Sequence, residues 1–133
     1  MNVKTLVSAL TIGILFTSNS FAEKNNKISL KYNFSRFGQS ICNDTKIVKI
    51  NDLNLLCEGM SEANRIFLRV SVKKTDKVAV LISANVEEID STGVVTVISN
   101  FSLQTLIGVQ GEISESDGSE DSLKFGAIPN FEN

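Results

Sequence analysis

Histidine and tryptophan are absent from the 133 residues, proline occurs once and cysteine twice. Without histidine, neither a Ser-His-Asp nor a Cys-His mechanism can be assembled, no His-ligated zinc or haem site is available, and acid–base chemistry near neutral pH loses its usual agent. Most familiar enzyme classes are thereby excluded. No cofactor is called for, because the 8 glycines form no phosphate-cradling loop and no metal-ligand spacing is present. The excess of positive charge that nucleic acid demands of a partner is missing too, since 13 basic residues face 15 acidic ones. The expectation is one small domain that is not an enzyme, with no nucleic acid among its partners.

What is present begins with an export signal. Lys4 precedes an apolar run over residues 6–16, and a short polar stretch ends at the small residue Ala22, the pattern of a secretory signal peptide over residues 1–22. The run is shorter than the roughly 20 residues that span a bilayer. The expectation is a mature chain of residues 23–133, a single β-rich domain without a transmembrane segment, periplasmic or secreted. In an oxidising compartment Cys42 and Cys57 pair as one disulfide. Closing a loop of about 15 residues removes on the order of 3 kcal/mol of denatured-state entropy.

Charge is divided along the mature chain. Residues 23–77 hold 11 basic and 6 acidic residues, a net of +5, whereas residues 78–133 hold only Lys124 against 9 acidic residues, a net of −8. Such a division either cancels within one domain or polarises a surface that steers a charged partner or a second copy packed head to tail. Period-two alternation dominates the rest. Ile28, Leu30, Tyr32 and Phe34 share one strand face, as do Ile66, Leu68, Val70 and Val72, and again Val78, Val80, Ile82, Ala84 and Val86. Ala79 and Leu81 make the third run apolar on both sides, which predicts a central strand. Shorter β-rich runs occupy residues 46–50, 53–57, 93–99, 101–109 and 123–128, and residues 59–64 could form a single helical turn. The strands starting at Lys27 and Lys77 open two weakly similar units. The fold expected is all-β: a small two-sheet β-sandwich of seven or eight short strands, the disulfide tying the loop after the first strand to residues 53–57.

Two surfaces stand out as partner-binding candidates. Lys31, Arg65, Arg69, Lys73 and Lys74 lie on or beside the alternating strands 27–35 and 65–73, read as edges open to strand pairing. Glu112, Glu115, Asp117, Glu120 and Asp121 crowd residues 112–121, read as a solvated hairpin loop; the spacing departs from the calcium-loop pattern, so no metal is assigned. Glu87 and Glu88, adjacent on a strand, point to opposite faces and cannot cooperate as a hydrolase pair. Leu103, Ile107, the stretch from Gln110 to Ile113 and the run Leu123, Lys124 and Phe125, within residues 101–129, resemble the β-rich modules around bacterial secretin and pilus assembly machinery. The resemblance covers under a third of the mature chain and implies an accessory of envelope or surface-structure assembly that binds another protein. The alternatives are a secreted effector, such as an inhibitor or small toxin, and a small-molecule or lipid-binding β protein.

Overall fold

The computed structural model describes residues 26–117 and 120–132, with the backbone alone at Asp117, Glu120 and Asp121; the proposed signal peptide, residues 1–22, lies outside them. Among the described residues eight strands follow one another: β1 (Lys27–Arg36), β2 (Gln39–Lys49), β3 (Leu53–Ser61), β4 (Asn64–Asp76), β5 (Ala79–Ile89), β6 (Val95–Leu106), β7 (Gly111–Asp117) and β8 (Glu120–Phe131). They form two four-stranded sheets, ordered β2-β1-β8-β7 and β3-β4-β5-β6. Every pairing is antiparallel, and no helix occurs among the described residues. This is the expected all-β sandwich. The chain meanders by hairpins within each sheet, crosses between sheets after β2 and after β6, and returns β8 to the side of β1. Substituting β5–β8 for β1–β4 in order carries one sheet's strand order onto the other's, so the strands beginning near Lys27 and Lys77 hold equivalent places.

Alternation sets which face is buried, because slipping the register by one residue would expose the whole apolar set. The even-numbered residues Ile28 to Phe34, Ile66 to Val72 and Val80 to Val86 all point between the sheets and are buried. Phe101 of β6 meets Phe125 of β8 across the sandwich at 5.7 Å between ring centroids. β5 runs between β4 and β6, as its two-sided apolar character predicts. At one end of the core, Arg36 of β1 and Glu88 of β5 form an ion pair between the sheets at 3.3 Å, and Asn64 donates to the same carboxylate.

Four expectations are corrected. Residues 59–64 form no helical turn; β3 runs into a two-residue turn, and Glu62 takes φ 57° where Ser61 faces Asn64. Runs 93–99 and 101–109 are largely one strand, β6, because Asn85 donates to the carboxamide of Asn100 at 2.7 Å and keeps that polar residue in the ladder. Cys42 sits in β2 rather than in a loop, since Asn43 and Asp44 pair with Asn33 and Tyr32 and their turn-like composition is overridden. Residues 112–121 are not simply a loop either: residues 112–117 belong to β7 and residues 120–121 start β8. Ile113, packed against the core, is the one apolar anchor of β7 and left a weak periodic signal.

Candidate functional site

The two sheets leave four free strand edges, which face each other as two lateral seams, β2 beside β3 and β6 beside β7. The first seam is stapled. Cys42 and Cys57 are disulfide-bonded with their Cα atoms 6.2 Å apart. Beside the bridge, Lys46 turns inward, opposite Leu30, and donates to the carbonyls of Leu55 at 3.2 Å and Leu56 at 3.4 Å. An inward charge of this kind on an edge strand discourages a foreign strand from pairing. Asn54 donates to the Lys49 carbonyl at 3.2 Å, and the Tyr32 hydroxyl reaches across to the Leu56 carbonyl at 2.6 Å. Burial, helped by nearby Asp44, pushes the Tyr32 phenol above its ordinary range and so keeps it a donor. Gly59 leaves room for Ile41, whose Cγ2 would stand 2.7 Å from any added Cβ.

The second seam carries no covalent bridge, since both cysteines stand at the first. Ser99 donates to Glu115 at 2.6 Å, Thr105 donates to the Val109 carbonyl at 2.9 Å, and Gly111 lies against Leu103 and Thr105. Its strand β6 is 12 residues long, the longest of the four edge strands, and carries neither a charged residue nor a proline. At its start Val94, Val95 and Val97 are 57%, 54% and 51% exposed. The turn before them is well formed. Asp90 accepts from the Thr92 hydroxyl at 2.6 Å, the Thr92 amide at 2.9 Å and the Val94 amide at 3.0 Å, while Gly93 takes φ 88°. Those bonds, the Thr92 hydroxyl first, hold the Asp90 carboxyl below its ordinary range.

The strands expected to be open edges are interior. β1 lies between β2 and β8, and β4 between β3 and β5, so neither has an unpaired side to offer. Their alternation signals a half-buried strand equally well at an edge or at the centre, because side-chain period is blind to lateral position. The basic candidates are divided between opposite outer faces. Lys31 lies on the β1 sheet; Arg65, Arg69 and Lys73 lie on the β4 sheet. Arg65 pairs with Glu58 at 2.5 Å and Arg69 with Glu87 at 2.6 Å, and both guanidinium groups cover the Phe67 ring, at 5.0 and 5.5 Å. Lys74 lies 5.5 Å over Phe131. Of the acidic candidates, Glu112 pairs with Lys124 at 3.7 Å and Glu115 with Ser99, while the side chains of Asp117, Glu120 and Asp121 lie outside the described residues. Glu87 and Glu88 do face opposite sides of β5, one toward Arg69 and one toward Arg36.

No family model, curated protein or solved structure matches the chain. The surface therefore carries the functional argument. Strand order turns the charge division into geometry: β1–β4, within the +5 half, flank the stapled seam, and β5–β8, within the −8 half, flank the open one. Among the described residues no three of His, Cys, Asp and Glu gather to hold a metal ion, and no helix is long and apolar enough to cross a membrane.

Proposed function

We propose that the protein is an exported, non-enzymatic β module that binds another protein by adding the partner's extended strand to the free edge of β6. The observation that carries this reading is the unguarded edge itself: 12 residues without charge or proline, with Val95 and Val97 exposed at its start and Val94 exposed just before it. Natural edge strands of that length are normally blunted by lysine, proline or an inward charge, as β2 is here by Lys46. Backbone groups of β6 would supply affinity, and Val95 and Val97 the side-chain selectivity. The acidic half around the seam favours a partner strand flanked by basic residues and steers its approach. The disulfide and the signal-like residues 1–22 support action outside the cytoplasm, in the periplasm or beyond the cell.

The test is capture of a partner from envelope extracts by the mature protein, run beside Val97→Lys, which places a charge on the edge without touching the core. A partner retained by the wild type, lost with Val97→Lys and weakened at high salt supports the reading. Equal capture by both proteins, or none by either, counts against it.

A further inference from the structure

On the outer face of the β2-β1-β8-β7 sheet lies a hollow of about 120 Å³, lined among others by Lys31, Asn33, Asn43 and Gln110. That is room for several waters or for one small oxyanion. Beside the lining residues Ala127 and Ile128, Gly126 lets two of the lining amides pack directly on the β8 backbone. A Cβ there would stand 3.1 Å and 3.2 Å from the two carboxamide atoms of Asn33 and 3.3 Å from Nε2 of Gln110. These amides thus converge over the β8 backbone from two separate parts of the chain, and each can present an N–H to a ligand. Lys31 adds an ammonium that takes part in no ion pair among the described residues. Among the described residues, no carboxylate lines the hollow. Glu112, beside Gly126 in the ladder, is turned to Lys124, and Asp44 lies on the inward face opposite Tyr32.

From this donor-rich, acid-free cradle we infer that the hollow is a binding site for a carboxylate group, held by Lys31 as a point charge and by the carboxamides as hydrogen-bond donors. The site is independent of the β6 edge and does not rest on the proposed protein partner. Its chemistry suits either a free small carboxylate or the C-terminal end of a peptide, and the two sources can be separated.

Sodium acetate titrated into the ¹⁵N-labelled protein at fixed ionic strength, with sodium chloride as the control, is expected to give saturable shifts at the amides of Asn33 and Gly126 and at the side-chain amide of Gln110. Gly126→Ala and Lys31→Gln are each expected to weaken that response at least tenfold. Lys31 is exposed, so its variant keeps the test decisive if the glycine variant fails to fold. A short peptide that binds more tightly than acetate with a free C-terminus, and loses binding when amidated, assigns the site to chain ends; equal binding of acetate and peptide assigns it to free carboxylates. Shifts that grow linearly, that chloride reproduces, or that survive in Lys31→Gln overturn the inference.

Discussion

The seams β2/β3 and β6/β7 hold equivalent places in the strand order, yet the molecule treats them differently. One is closed by a covalent bridge, an inward lysine and a buried tyrosine; the other by a serine–glutamate contact and a threonine hydroxyl. Equivalent topology does not impose equivalent protection. Protection follows from side chains, and these cluster where the chain is basic and thin out where it is acidic. In a sheet protein, pairing capacity resides in whatever edge is left unguarded.

Removing the bridge is the strongest way to break the contrast. Cys42→Ala combined with Cys57→Ala is expected to lower stability by about 3 kcal/mol in urea unfolding. Amide hydrogen exchange should accelerate at β2 and β3 while β6 keeps its wild-type rates; equal acceleration at both seams would show that the staple guards the whole fold rather than one edge.

A smaller effect compares the two seam glycines. At Gly59 an added methyl meets Ile41 at 2.7 Å, whereas at Gly111 the nearest side-chain atom is at 3.0 Å. Gly59→Ala is expected to cost about 1–3 kcal/mol by overpacking, and Gly111→Ala less. Thermal melts of the two variants rank them, and a larger loss at Gly111 would mean that the second seam is the more tightly packed.

The smallest effect concerns the turn that presents the valines. The folded carboxyl of Asp90 titrates below its unfolded value of about 3.9, so its contribution is complete above that pH and is lost as pH falls through the folded value. The difference in Tm between wild type and Asp90→Ala should therefore be present at neutral pH and shrink below about pH 4. A pH-independent difference would assign the role of Asp90 to something other than its charge.

Much of the fold is visible in the order of residues. Ile28, Leu30, Tyr32 and Phe34 declare a strand and its buried face without help from the rest of the chain, and the same is true of β4 and β5. β7 is harder to see, because Ile113 alone among its residues packs on the core and its carboxylates look like those of a loop. β6 is obscured by Asn100, whose place in the ladder depends on Asn85, a residue of another strand. The candidate site was legible only as ingredients. The charge division and the valines are countable, but alternation draws attention to β1 and β4, which are interior, and not to the edge strand β6.

By itself, then, the sequence determined the strand-built class, the buried faces, the pairing of its two cysteines and the sign of each half, since all of these follow from local periodicity, composition and a count of two. Tertiary structure alone decided which strands lie at the margins, which seam is stapled, and that Lys31, Asn33, Asn43 and Gln110 line one hollow. Lateral order in a sheet is fixed by long-range hydrogen bonding and packing between sheets, and neither leaves a periodic trace along a single strand.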